Sequence, residues 1–191
     1  MSSTLTLSQA LFPNRTVARD IFLVAGASLL VAALAQVSIP LPFTPVPITG
    51  QTLGVLLMGI VLGSRRAAIA MALYLLEGAI GLPFFAEGRS GLGGPTTGYL
   101  LAFPLAAFFT GWLAERGWDR KPLTAALAML IGSLVIFGLG AAWLSIYVGG
   151  LQKAFTLGVL PFLPGDLIKT TIASGVLPLT WKLLGKRSHQ D

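Results

Sequence analysis

The chain has 191 residues, of which 54% are hydrophobic and only 10% charged, with a net charge of +6 and a mean hydropathy of +0.81. A charged fraction so far below the roughly 25% of soluble domains excludes an ordinary water-soluble globule and reads as an all-α integral membrane protein. Without cysteine, disulfides and thiolate metal sites are excluded, and a single histidine in the polar tail, His189, excludes imidazole catalysis and histidine-clustered metal centres.

Residues 1–20, MSSTLTLSQALFPNRTVARD, mix polar residues with Pro13, Arg15, Arg19 and Asp20. They hold no apolar core of signal-peptide length, and so predict a short cytoplasmic leader. The first apolar run of spanning length, IFLVAGASLLVAALAQVSI, predicts a helix over 21–39. It stops at PLPFTPVPITG, where Pro40, Pro42, Pro45 and Pro47 forbid helical continuation. Helices expected over 51–63 and 66–82 meet at the Arg65-Arg66 pair and predict a tight hairpin of short or tilted helices.

A glycine-rich loop, PFFAEGRSGLGGPT, covers 83–96. Two further helices are expected over 97–115 and 122–148. After GGLQKAF the apolar run resumes over 157–184, interrupted by LPGD, with 167–181 as its main body. The expectation is one membrane domain over 1–191 with six transmembrane helices and both termini cytoplasmic. Orientation follows from the basic residues: Arg15, Arg19, Arg65, Arg66, Arg116, Arg120, Lys121, Lys182, Lys186 and Arg187, ten of thirteen, fall on inner segments. Topology therefore accounts for most of the positive charge, and nucleic acid needs no place among the partners.

The remaining charges are informative, because an ionisable side chain at the bilayer centre costs about 3 kcal/mol on insertion scales. Glu77, Arg89, Asp166 and Lys169 all map to the outer half or to outer loops. In LPGDLIKTT, Asp166 and Lys169 are three residues apart and share one helix face. Two readings are open: the pair neutralises itself at a helix start, where an acid also complements the dipole, or it faces something polar.

Catalytic motifs are missing. The nearest approach to a phosphate loop is Gly185-Lys186, but Thr180 replaces its first glycine and Arg187 its hydroxyl. GRSGLGGP around Arg89 lies between membrane helices rather than after a strand. Glu77 with Asp166 is the only candidate acid pair, and intramembrane charges more often mark pathways and ligand sites than catalysis. No enzyme is expected.

The segments PFTPVPITGQTLGVLLMG, YLLEGAIGLPFFAEGRSGLGGPTTGYLLAF and LPGDLIK occur in order between residues 43 and 169. In sequence and spacing this set resembles the BioY family, the biotin-specific substrate-binding (S) components of energy-coupling-factor transporters. The resemblance implies a six-helix subunit in the bacterial cell membrane that captures biotin from the outer face. It also implies partners, a membrane coupling subunit and two cytoplasmic ATPases, with no cofactor and biotin as the transported ligand. An S component for another vitamin, or an autonomous carrier, are the alternatives; no continuous polar stripe crosses the inner half to favour the latter.

Biotin offers ureido N–H donors, a carbonyl, a thioether and a carboxylate tail, so its site needs an acceptor, a cation and apolar walls. Asp166 suits the ureido group and Arg89 the carboxylate, while Lys169 balances Asp166 or reaches the carboxylate. By resemblance, these three positions are ligand contacts. Glu77 is a candidate second acceptor, Tyr99, Phe84 and Phe85 are candidate walls, and Thr44 and Gln51 belong to a candidate lid. Each has a structural alternative: a solvated arginine, core aromatics, helix-ending prolines. Ser28-x-x-x-Ala32 has the small-residue spacing that admits a second helix; the resemblance implies the coupling subunit there, and internal packing is the other reading.

Overall fold

The computed structural model describes residues 4–11 and 16–187, with side chains to residue 184. The expectations for Arg15 and His189, and for the side chains of Lys186 and Arg187, lie outside the described residues.

A short helix, α1 (Leu7–Leu11), lies within the expected leader and buries Leu7 and Ser8. It is tied down beside residues 115–121 by Thr4, whose N–H donates to the Glu115 carbonyl at 2.7 Å. The second helix, α2 (Val17–Gln36), starts four residues before the expected 21 because Thr16 caps it, accepting from the Arg19 N–H at 3.2 Å. It ends at Gln36 because the chain enters a two-residue strand, β1 (Ser38–Ile39), which pairs antiparallel with β2 (Ile48–Thr49). The four prolines are thereby confined to the loop between strands, where their missing N–H groups break no ladder.

Helix α3 (Gln51–Leu62) follows at once, and Gly63, at φ 83, lets α4 (Ser64–Ala79) begin at the next residue. The start of α4 is capped from a distance: the Glu115 carboxylate accepts from Ser64 N–H at 2.8 Å and from Ser64 Oγ at 2.9 Å. Helices α5 (Thr97–Ala114) and α6 (Pro122–Val148) form the centre. The latter opens on proline at its first position and closes on left-handed Gly149.

The segment expected as one helix over 157–184 is divided. An exposed short helix, α7 (Leu151–Gly158), and a 3-10 turn, Leu160–Phe162, precede α8 (Leu163–Arg187). Val159 leaves helical geometry and Pro161 has no N–H to carry the ladder on. LPGD, expected as an interruption, is the first turn of α8, where Pro164 meets only groups that lack intrahelical partners.

Three helices, Val17–Gln36, Thr97–Ala114 and Pro122–Val148, are long and apolar enough to cross a membrane, and Gln51–Leu62 is apolar but shorter. Of the three, α5 is the most enclosed, 67% buried, and α2 the least, 22%. Helix α5 packs against α3, α4 and α6, with Gly98, Ala102, Ala106, Ala107 and Gly111 on its buried surface. Small residues let backbones approach closely where the surrounding hydrocarbon supplies no hydrophobic drive. A Cβ on Gly111 would meet the backbone of Gly63 and Ser64, and one on Gly140 of α6 would meet the Tyr99 ring. Outward-facing Phe22, Leu134, Ile146 and Leu183 leave an apolar perimeter suited to lipid.

Candidate functional site

A cavity of about 200 Å³ opens where four pieces of chain converge: the β1–β2 loop, the start of α3, the glycine-rich loop with the start of α5, and the first turns of α8. Six of the expected ligand residues line it, namely Gln51, Phe85, Arg89, Tyr99, Asp166 and Lys169. They come from segments up to 118 positions apart, Gln51 to Lys169, so only the tertiary fold assembles them.

One wall is set by a relay of hydrogen bonds. Thr49 Oγ1 donates to Gln51 Oε1 at 3.1 Å, Gln51 Nε2 donates to Tyr74 Oη at 2.5 Å, and Tyr74 Oη donates to the Phe84 carbonyl at 3.0 Å. The relay runs from β2 through α3 and buried Tyr74 of α4 to the glycine-rich loop. Next to it Phe85 packs edge-on against Tyr74, with centroids 5.5 Å apart. Its ring lies against Gly78, where a Cβ would collide with it. Tyr99 is held at both ends: its ring rests on Gly140 and its hydroxyl donates to the Gly158 carbonyl of α7 at 2.8 Å. It therefore offers the cavity a ring face while its proton is committed.

The charged groups divide by exposure. Asp166 is 6% exposed and lies beside the buried hydroxyl of Ser133 in α6. Lys169 does not turn to Asp166: no ion pair within 4.0 Å joins them. Its ammonium donates to the Thr49 carbonyl at 2.7 Å and to Thr52 Oγ1 at 3.5 Å. The self-neutralising reading of the pair is thus not the arrangement found; acid and base face the cavity separately. Arg89, with its side chain 61% exposed, stands at the rim and pairs with Glu87.

Two expected ligand residues and one expected wall are not brought to the cavity. Glu77 turns from α4 toward α2 and accepts a hydrogen bond from Ser28 Oγ. Thr44 Oγ1 accepts from the Val46 N–H at 3.3 Å and braces the proline-rich turn, leaving Val46, Pro47, Ile48 and Thr49 as the lining from that loop. Phe84 contributes its carbonyl to the Tyr74 relay. The two residues expected at a partner interface lie inward in this chain. Ser28 is 0% and Ala32 6% exposed, and the Ser28 hydroxyl donates to Glu77 on the α4 side.

Sequence reasoning missed Phe103, Phe137 and Phe162, which complete the aromatic lining. Phe103 was within reach of it, lying four residues after Tyr99 on the same face of α5. Phe137 and Phe162 carried no such signal, since nothing local ties them to Tyr99. An acceptor, two cations and an aromatic wall together suit an elongated ligand with N–H donors at one end and an anion at the other. Among the described residues, no group of three or more metal-ligating side chains stands together.

Comparison with known proteins bears on the same region. The family model described as BioY family matches residues 3–186. A biotin transporter BioY of Rhizobium etli is 41% identical over 168 residues, covering 82% of this chain and 89% of the relative. A probable biotin transporter BioY of Pyrococcus horikoshii is 40% identical over 159 residues, covering 82% and 92%. The crystal structure of an S-component for biotin from an ECF-type ABC transporter superposes with a TM-score of 0.79 at 26% identity, covering 88% of this chain and 95% of that one. Matched over nearly its whole length in sequence and in fold, the chain belongs to the BioY family.

Proposed function

We propose that this chain is the biotin-binding membrane subunit of a vitamin uptake transporter, without catalytic activity of its own. The observation that carries the reading is the cavity in which Asp166 and Lys169 are presented separately, with Arg89 at the rim and aromatic rings between. Asp166 accepts the ureido N–H groups, Arg89 takes the carboxylate, and Lys169 lends positive charge while holding the hairpin loop through Thr49. Gln51, Phe85 and Tyr99 shape the wall. Relatives named biotin transporters, and the S-component for biotin that shares the fold, support biotin over another vitamin.

In the same proposal, the chain is one membrane domain crossed six times, by α2, α3, α4, α5, α6 and α8, with both termini cytoplasmic. Ten of thirteen basic residues on the inner segments support that orientation, and it places the cavity on the outer side of the cell membrane. Energy then comes from a membrane coupling subunit and two ATPases, a division supported by the lack of a phosphate loop in this chain. The test is equilibrium binding of labelled biotin to the purified subunit in detergent, with thiamine and riboflavin as competitors. Saturable one-to-one binding displaced only by unlabelled biotin is expected; displacement by another vitamin would reassign the ligand, and no binding by folded protein would overturn the site.

A further inference from the structure

Glu87 is the only non-glycine residue with positive φ among the described residues, at φ 62 and ψ 28. That left-handed geometry is costly for a side chain other than glycine or asparagine, and it persists because the loop around it is tied down. Phe85 N–H donates to the Arg89 carbonyl at 3.0 Å, and Arg89 N–H to the Ala86 carbonyl at 3.3 Å. Gln36 at the end of α2 spans the turn, accepting from Gly88 N–H at 3.1 Å and donating to the Phe85 carbonyl at 3.3 Å. The closed turn aims the Glu87 carboxylate at the guanidinium of Arg89, a cavity-lining residue. Among the described residues, this is the one ion pair Arg89 makes.

We propose that Glu87 is a built-in competitor for Arg89 and thereby a specificity-determining residue of the site. Its carboxylate takes the guanidinium that a ligand carboxylate would take, so an acidic ligand has to exchange with it. A neutral ligand leaves the pair intact. Glu87 therefore compresses the preference of the site for an acid over its amide, and keeps Arg89 from holding any passing anion. The inference rests on the reading that Arg89 meets the ligand carboxylate.

The experiment compares dissociation constants for biotin and for biotinamide, its neutral amide, at low salt. The proteins are the wild type, Glu87→Gln, Glu87→Asn, Arg89→Ala and the Glu87→Gln/Arg89→Ala double variant. Glu87→Asn suits the left-handed backbone and guards against a folding defect. Either Glu87 variant is expected to bind biotin about 2- to 5-fold more tightly, the scale of a partly exposed ion pair, with biotinamide unchanged and the gain lost in the double variant. An unaltered acid-to-amide ratio in both Glu87 variants, while Arg89→Ala lowers it, would overturn the competitor role and leave the Arg89 assignment standing. Equal tightening of both ligands would assign the effect to loop geometry and also overturn it. A ratio insensitive to Arg89→Ala would bring down the Arg89 assignment and this inference together.

Discussion

Asp166 and Lys169 share the first turns of α8, yet the ammonium donates to the Thr49 carbonyl at 2.7 Å and forms no ion pair with its neighbour. A carboxylate that is 6% exposed and has no ion-pair partner within 4.0 Å among the described residues is costly to bury, and a ligand presenting N–H donors would offset that cost. Hydrogen bonds to charged groups contribute about 1.5–3 kcal/mol, so Asp166→Asn is expected to weaken biotin binding by about 10- to 100-fold. The substitution keeps the shape of the side chain, and the thermal midpoint in detergent should move little. Calorimetric titration beside a melting curve checks both, and full affinity in this variant would remove Asp166 from the site. Asp166 and Lys169 could be singled out from sequence because charge is rare in so apolar a chain. Their partners could not: a backbone carbonyl such as that of Thr49 has no sequence signature.

At the scale of elements, α8 is fastened to the loop between α5 and α6 by Trp181, whose Nε1 donates to Asp119 Oδ2 at 2.6 Å. Arg120 lies over the Trp181 ring, 3.9 Å from its centroid. Asp119 is 1% exposed, and its Oδ1 makes no hydrogen bond. Burial pushes its carboxyl above the ordinary 3.8, opposed first by the Trp181 hydrogen bond and more weakly by Arg120. The raised native value means that the fold holds the proton more tightly than the unfolded chain. The contribution to stability is thus complete below 3.8 and lost as pH rises through the native value. Asp119→Asn preserves an oxygen for Trp181 and cannot ionise, so its thermal midpoint should decline less than that of the wild type between about pH 4 and pH 7. Parallel curves would show that this carboxyl does not set the slope. The link itself was out of sight in the sequence, since Asp119 and Trp181 are 62 positions apart. That long apolar runs form helices was legible, whereas the break between α7 and α8 was not. Hydropathy continues across Val159 and Pro161, and only backbone geometry interrupts it.

For the whole molecule, three enclosing contacts make α5 the central helix, while α2 leaves most of its surface outward. A chain with a ligand cavity but no phosphate loop should bind biotin in lipid vesicles without accumulating it, and should accumulate it with ATP only when the coupling subunit and ATPases are present. Uptake of labelled biotin against a gradient by this chain alone would make it an autonomous carrier. Composition, apolar run length and the placement of lysine and arginine were enough to identify a helical membrane protein, because transfer into hydrocarbon is a sum over residues and needs no knowledge of neighbours. The motif set around Arg89 and LPGDLIK was enough to place it in its family. Which charges face the cavity, that Glu77 serves Ser28 instead, and that Glu87 holds Arg89 were decided by tertiary structure alone. Each depends on the direction of a side chain relative to segments distant in sequence, set by contacts such as Ser28 with Glu77, Gln36 with the turn at Gly88, and Lys169 with the Thr49 carbonyl, which no local pattern encodes.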